Sequence, residues 1–167
     1  AVLGAGNSTV CDECQRERGV KTIKSGYVTD ACNLRYVHPD GRETRECTES
    51  QVMQRHHLKV IEEAAERKIA MNPHEPVKDT GLRRTYPNIL TREGLIEFEY
   101  NGWSHHDSPE HHNLLPYIRM FTGPMDYIPA TMRNATPSNF RPVNDYPMGQ
   151  GTRAHSMALF VILNSPM

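Results

Sequence analysis

TESQVMQRHHLKVIEEAAERKIAMN, residues 48–72, predicts a helix that is followed directly by a strand. Apolar and small residues recur at helical spacing and indicate a helix over about residues 49–67. Thr48 and Gln51 fit a capping box, with Thr48 as the N-cap and Gln51 reaching back to it. The last five residues, KIAMN (68–72), predict a short strand that runs into a long polar segment.

Two further strands are predicted on either side of this helix–strand pair. GVKTIKSGYV (19–28) and LIEFEY (95–100) both alternate in polarity, as half-buried strands do. The stretch between the first strand and the helix, residues 29–47, contains the turn signal PDG and predicts a long surface loop. The order strand, helix, strand predicts a right-handed parallel βαβ unit, and hence an α/β fold.

The rest of the C-terminal part predicts less regular structure. Residues 130–150 are rich in Asn and Pro and predict a loop. Residues 151–167 contain a continuous apolar run that fits a buried helix or a central strand; we favour a helix with Thr152 as its N-cap. Two histidine pairs, at 105–106 and 111–112, are predicted to lie in polar loop, where we expect no metal site.

Composition excludes several classes of function. The chain has 167 residues, enough for one domain with a core of its own. Its net charge of −1 gives no basic field for nucleic acid and no attraction to a membrane surface. No run approaches the roughly 20 apolar residues of a membrane helix, and we see no signal peptide at the start of this chain. We therefore predict neither a nucleic-acid nor a membrane partner.

The four cysteines allow a separate interpretation. Cys11 and Cys14 have the CxxC spacing of redox and zinc motifs, whereas Cys32 and Cys47 lie 15 residues apart and do not repeat it. Zinc sites usually show two close pairs. We therefore favour ordinary thiols and keep a cysteine-based metal or redox module as an alternative.

Acidic residues gather where the predicted strands end. Glu75 lies just past KIAMN, while Glu97 and Glu99 share one face of the predicted third strand, and Glu93 precedes it. In parallel α/β folds reactive groups collect at the carboxyl ends of strands. Clustered carboxylates need a neutralising partner, such as an arginine, a proton, or a hard cation like Ca²⁺ or Mg²⁺. Paired carboxylates beside aromatic rings also suit glycoside hydrolysis, although a glutamate considered alone is usually a solvated surface residue.

Several motifs resemble glycoside hydrolase family 97. They are HEPVKDTGLRRTYPNILTREG (74–94), EYNGW (99–103), PEHHNLLPYIRMFTGPMDYIP (109–129), NATPSNFRP (134–142) and PMGQGTRAHSMALFVILNSPM (147–167). The resemblance runs from about Gly19 to Met167. It implies that residues 19–167 form the second half of a catalytic (β/α)₈ TIM barrel, after an irregular segment at residues 1–18. The family contains α-glucosidases and α-galactosidases.

The resemblance implies a division of roles among the acids. By motif match Glu99 is the general acid, and Glu75 helps to activate water. Glu75, Glu93 and Glu99 are implied ligands of one Ca²⁺ ion. The retaining branch of the family carries an aspartate nucleophile near the end of the strand that matches 19–28, where this chain has Ser25 and Gly26. Glu75 also stands where that branch has glycine, so the resemblance implies the inverting branch.

Three more residues are candidates for substrate contact. The resemblance implies that His74 forms a hydrogen bond with a sugar hydroxyl. The alternative is that His74 only stabilises its own loop. Trp103 and Tyr100 are candidates for the sugar site, although core packing is the favoured interpretation of both. The implied substrate is an oligosaccharide with α-glucosidic bonds, with α-galactosidic bonds as the alternative.

Half a barrel implies a partner, because it leaves unpaired strand edges and an uncovered apolar face. We expect self-association, or a separate chain that completes the barrel. The family resemblance implies a periplasmic or secreted protein. A non-catalytic carbohydrate-binding or assembly subunit derived from such a barrel is the alternative function.

Overall fold

The computed structural model describes residues 2–4, 19–26, 32–74, 76–129 and 131–166, the first range by its backbone alone. The chain divides into two compact units, Ala1–Gly94 and Leu95–Met167, called here the first and the second unit. Each unit combines helices with short strands, so the fold is mixed α/β. No helix in the described ranges combines the length and apolar character that crossing a bilayer requires.

The first unit contains five strands and two helices in its described part. In chain order they are β1 (Val2–Gly4), β2 (Thr22–Ser25), β3 (Leu34–Val37), β4 (Glu43–Glu46), α1 (Gln51–Glu66), β5 (Ala70–Pro73) and α2 (Leu82–Thr85).

The predicted βαβ unit is confirmed. β2 and β5 pair in parallel, with Thr22 opposite Ala70 and Ser25 opposite Pro73, and α1 lies between them in the chain. The apolar face of α1 packs on the sheet, and the buried cluster there consists of Val60, Ala64, Ile69 and Met71, with Ile23 against it. Burying this stripe accounts for the helical spacing seen in the sequence.

Helix α1 begins at a different residue from the one predicted. Ser50 is the N-cap, and its Oγ accepts a hydrogen bond of 3.3 Å from the Met53 backbone N–H. The Thr48 hydroxyl instead donates to the Glu49 carboxylate at 3.0 Å. The predicted capping box of Thr48 and Gln51 is therefore wrong, because a serine two residues further on satisfies the first free N–H groups.

The long surface loop predicted for residues 29–47 is also wrong. β3 and β4 form an antiparallel hairpin, and a disulfide between Cys32 and Cys47 joins its two ends. The prediction of ordinary thiols fails for this pair, and a four-thiolate metal site is excluded because two of the sulfurs are bonded to each other. Cys11 and Cys14 lie outside the described residues.

Buried side chains fix the hairpin to the rest of the first unit. Leu34 of β3 and Met53 of α1 are both fully buried in one cluster, with Tyr36 packed against it. The backbone of β1 pairs in parallel with β3. Of the irregular segment predicted at residues 1–18, only this short strand is described, and residues 5–18 lie outside the described ranges.

The third strand predicted at residues 95–100 is wrong. A parallel strand-like segment lies earlier in the chain: Met71 N donates to Asn88 O at 2.7 Å, Leu90 N to Met71 O at 3.0 Å, and Glu93 N to Pro73 O at 3.1 Å. Gly94, at φ +84°, then turns the chain out of the extended conformation. Residues 88–93 therefore run beside β5 in place of the predicted strand.

The second unit consists of short helices joined by loops in its described part. In chain order they are a 3₁₀-helix (Phe98–Gly102), α3 (Pro109–Ile118), a second 3₁₀-helix (Met120–Thr122), the strand pair β6 (Asn134–Ala135) and β7 (Gly149–Gln150), and α4 (Arg153–Ile162).

The predicted C-terminal helix is confirmed. Thr152 is the N-cap of α4, and its hydroxyl accepts from the His155 backbone N–H at 3.1 Å. The helix buries Leu159 in a cluster with Leu115, Met125, Tyr127 and Leu163. Its remaining large apolar side chains stay exposed, as do several on α3 and the adjoining 3₁₀-helix; they are Leu114, Tyr117, Ile118, Phe121, Met157, Phe160, Val161 and Ile162.

Candidate functional site

A buried carboxylate lies at the carboxyl end of the β2–β5 pair. Glu93 is 4% exposed, and its two oxygens are bound by Lys24 Nζ at 2.7 Å and by His74 Nε2 at 2.8 Å. Lys24 belongs to β2, and His74 directly follows β5, so parallel pairing brings both side chains to the same edge. Two donors thereby compensate for taking the carboxylate out of water.

The backbone near His74 leaves room for its ring. A Cβ atom at Gly26 would lie 3.0 Å from His74 Nδ1, which is tighter than an ordinary contact. His74 N also donates to Ser25 O at 2.7 Å, continuing the ladder between β2 and β5. A side chain at Gly26 would therefore press on the ring of His74 that contacts Glu93.

The loop that follows His74 is fixed to the segment carrying Glu93. Arg92 is buried, and its guanidinium donates to Val77 O at 2.7 Å. Burial lowers the pKa of Arg92, and the nearby Asp79 opposes that shift. A Cβ at Gly94 would lie 2.8 Å from Pro76 Cδ, so the two chain segments are in close contact.

The other predicted contact residues belong to the second unit. Glu99 lies in the first turn of the 3₁₀-helix Phe98–Gly102 and is half-buried. Tyr100 and Trp103 contact each other, with ring centroids 5.1 Å apart at 48°. Trp103 is 56% exposed, so the favoured prediction that it packs in the core is wrong, and its ring offers a surface for stacking.

A buried polar network in the second unit was not predicted. Asp107 accepts from Tyr127 OH and His112 Nε2, both at 2.8 Å, and from Asn101 Nδ2 at 3.0 Å. His112 Nδ1 in turn lies 2.8 Å from His155 Nε2. Burial, together with Asp107, raises the pKa of Tyr127, which keeps the phenol a donor. Burial also lowers the pKa of His155, with a further contribution from His112.

The network corrects the loop predicted for the second histidine pair. His111 and His112 lie in the first turns of α3, where the Ser108 hydroxyl caps the helix. His111 Nε2 contacts Ile96 O at 2.8 Å, whereas His112 enters the network. A helix start was readable in the sequence as Ser108 followed by Pro109, a typical N-cap and N1 pair.

The structure thus brings some of the predicted site residues together. His74 and Glu93 are in contact in the first unit, and Tyr100 and Trp103 are in contact in the second, close in sequence to Glu99. Glu75 lies outside the described residues. The assignment of Glu75, Glu93 and Glu99 to one metal ion stays a prediction.

Comparison with known proteins identifies the family. The family model described as glycoside hydrolase 97 matches residues 9–95. The chain belongs to glycoside hydrolase family 97. A curated relative in this comparison, named retaining alpha-galactosidase, comes from Bacteroides thetaiotaomicron and is 38% identical over 120 residues. That match covers 71% of this chain and 18% of the relative.

Solved family 97 structures share this fold. A family 97 enzyme from Pseudoalteromonas sp. strain K8 matches as its R171K variant, as its E480Q variant in complex with panose, and in complex with acarbose. Each match has a TM-score of 0.79 at 38% identity and covers 92% of this chain. The chain spans 23% of the length of those structures, so it corresponds to a part of the family 97 proteins that it matches.

Proposed function

We propose that this chain carries catalytic groups of an α-glycosidase that hydrolyses α-glucosidic bonds in oligosaccharides, with α-galactosidic bonds as the alternative. Family membership supports the reaction class. The observation that carries the proposal is the buried Glu93 carboxylate, bound by Lys24 and His74 within the HEPVKDTGLRRTYPNILTREG motif. A buried acid with two dedicated donors at the end of a parallel strand pair is typical of a built site.

Glu99 is the proposed general acid. It would protonate the glycosidic oxygen as the bond to the anomeric carbon breaks, while Glu75 would accept a proton from the attacking water. Supporting this, Glu99 is half-buried on a short helix, and Glu97 and Asn101, two residues before and after it, are fully buried. Half-burial leaves part of Glu99 accessible to a ligand.

The proposed substrate contacts are His74, Tyr100 and Trp103. Sugar rings stack on exposed aromatic faces, and the tilted pair of Tyr100 and Trp103 offers such a surface. His74 contacts Glu93 through Nε2. Complexes of the Pseudoalteromonas enzyme with panose and acarbose support an oligosaccharide ligand for this family.

A calcium ion held by Glu75, Glu93 and Glu99 is part of the proposal. Carboxylate oxygens suit this hard cation, and a carboxylate oxygen that accepts from a side-chain donor, as those of Glu93 do, can also bind a cation. When bound, the ion would stabilise the neighbouring carboxylates and polarise a water molecule. Lys24 already supplies one positive charge to Glu93, so removal of the ion should weaken, and not abolish, the order of this site.

The inverting course is likewise proposed, with retention as the alternative. Ser25 and Gly26 end the β2 region without a carboxylate, which favours direct attack by water. The Bacteroides relative is named a retaining enzyme, which favours the alternative. Proton NMR of the first product anomer decides between them: β-glucose formed from an α-glucoside supports inversion, and α-glucose refutes it.

A partner that completes the barrel is also proposed. Exposed apolar side chains lie on α3, on the adjoining 3₁₀-helix and on α4, among them Tyr117, Phe121 and Val161, and soluble monomers rarely leave large apolar patches uncovered. A second copy of this chain, or a chain carrying the remaining barrel strands, would cover it. We also propose a periplasmic or secreted location, supported by the Cys32–Cys47 disulfide, since such bonds persist in oxidising compartments.

The test is turnover of 4-nitrophenyl α-glucoside and α-galactoside, with and without a chelator. Glu99→Gln should lower turnover of methyl α-glucoside, whose alkoxide leaving group needs a proton, by at least about 100-fold, in line with losing general acid catalysis. Glu66→Gln, an exposed acid at the end of α1, should leave it unchanged. Sugar binding without turnover in the wild-type chain would refute catalysis by this chain and favour the carbohydrate-binding alternative.

A further inference from the structure

The 3₁₀-helix that carries Glu99 depends on contacts with the rest of the second unit. It has five residues, Phe98–Gly102, and backbone bonds at its two ends run from Tyr100 N to Glu97 O and from Trp103 N to Tyr100 O. Helices of this kind have poor hydrogen-bond geometry and are rarely stable alone. The direction of the Glu99 side chain is therefore set by whatever holds the two ends of the helix.

The first anchor precedes Glu99 by two residues. Glu97 is fully buried, and its Oε2 accepts from Ile128 N at 2.7 Å. Phe98 N donates to Ile128 O at 3.3 Å. The pair of bonds fixes the start of the helix to the segment around Ile128.

The second anchor follows Glu99 by two residues. Asn101 is fully buried, its Nδ2 donates to Asp107 Oδ2 at 3.0 Å, and its Oδ1 accepts from Gln150 Nε2 at 3.0 Å. Val143 N donates to its backbone carbonyl at 3.3 Å. The donor and the acceptor of the side-chain amide are thus both used, and only one orientation of the amide satisfies both partners.

Asp107 gives this second anchor its rigidity. Tyr127 OH and His112 Nε2 contact its other oxygen, so an ionised carboxylate accepts from three donors that lie on different parts of the unit. Asp107 is 1% exposed, and such a group is strongly destabilising if a partner is removed. The network therefore fixes Asn101 firmly in place.

We propose that Asn101 and Asp107 are positioning residues for Glu99, which hold the 3₁₀-helix so that the acid meets the glycosidic oxygen. The inference rests on the proposed role of Glu99. Neither residue touches the substrate in this proposal. They act through two residues of backbone, and a displacement of about 1 Å at the acid is enough to cost about 100-fold in rate.

Because Asn101 donates a hydrogen bond to Asp107, the proposal can be tested by exchanging the two residue types. Asn101→Asp sets a carboxylate against Asp107, and Asp107→Asn sets one amide N–H group against another. The double variant restores a matched pair, because the carboxylate introduced at position 101 accepts from the amide introduced at position 107 and from Gln150. The oxygen of that new amide still accepts from Tyr127 and His112. All three proteins keep side chains of almost the same size.

Fluorescence gives a readout that needs no turnover. Trp103 is the single tryptophan of the chain and directly follows the helix, so its emission and acrylamide quenching report on the helix position. Both single variants should shift the emission, and the double variant should return it to the wild-type value. Unchanged emission in the single variants, or no return in the double variant, would overturn the inference.

The dependence of the turnover rate on the leaving group distinguishes a misplaced general acid from a general loss of structure. α-Glucosyl fluoride needs little acid assistance, whereas methyl α-glucoside needs much. Each single variant should lose about 100-fold on the methyl glucoside and less than about 5-fold on the fluoride, with recovery in the double variant. Equal losses on both substrates would refute positioning. If Glu99→Gln also fails to show the split, the acid assignment itself is wrong; if it shows the split and the two anchors do not, only the positioning role fails.

Discussion

Acidification should destabilise the first unit through His57. This histidine lies on α1 and is 5% exposed. Burial lowers its pKa to about 4 from the ordinary 6.5, with smaller contributions from His56 and Arg92. The native state therefore holds His57 neutral, while the unfolded chain takes up a proton as the pH falls through 6.5. Stability due to the neutral ring is complete above the unfolded pKa, declines below it, and levels off once the pH is below about 4.

The size of the effect follows from the two pKa values. Between about pH 7.5 and about pH 5 the linkage relation gives a loss of about 2 kcal/mol, with a limit of about 3 kcal/mol at lower pH. Urea unfolding at both pH values, followed by circular dichroism, measures this loss. His57→Leu, which cannot titrate, should reduce the pH dependence by about 2 kcal/mol.

The control for this experiment is His106→Gln, because His106 is exposed. It should leave the difference between the two pH values unchanged. If His57→Leu and the wild-type chain lose the same stability on acidification, burial does not hold this ring neutral and the reasoning is wrong.

Two predictions concern packing, each with a control in the chain. Gly94→Ala should cost about 1–3 kcal/mol of unfolding free energy, because it adds a contact of 2.8 Å with Pro76 to the strain of φ +84°. Gly41→Ala has φ +82° with no atom nearby, so it measures the strain alone; equal losses in chemical denaturation would contradict the clash. Leu115→Ala should cost about 2–5 kcal/mol, because Leu115 is 2% exposed. Leu114→Ala, at 54% exposure, should change the melting temperature little, and a loss as large as that of Leu115→Ala would refute the burial pattern.

Elements with local signals were predictable from the sequence. The amphipathic stripe of α1 and the cap at Thr152 both depend on neighbours within one or two helical turns. Both predicted helices are present in the structure. The turn signal PDG predicts a loop when it is considered without the residues that flank it. In the structure His38 N donates to Arg42 O at 2.8 Å, so these residues close the β3–β4 hairpin. The flanking β-formers, LRYV among them, were the missed evidence.

Features that depend on distant partners were not predictable in the same way. LIEFEY alternates like a strand, yet Glu97 is buried because Ile128, 31 residues later, binds it. The partners of His112 are spread from Asp107 to His155, and their meeting requires the packing of α3 on α4. The contact between His74 and Glu93 was easier to predict, since the segments that carry them both adjoin β5. The presence of Lys24 in the same site could also be predicted, because the carboxyl ends of parallel strands lie at one edge of the sheet.

The closed hairpin offers a place to modify the molecule. Its tip, Pro39–Gly41, is exposed, and its two ends are tied together by Cys32 and Cys47. Extra residues at such a tip add a small entropic cost for the longer connection, and the covalent closure confines their disturbance to the strands immediately below. An affinity tag or a spectroscopic label inserted at Asp40 would therefore leave the β2–α1–β5 core as it is.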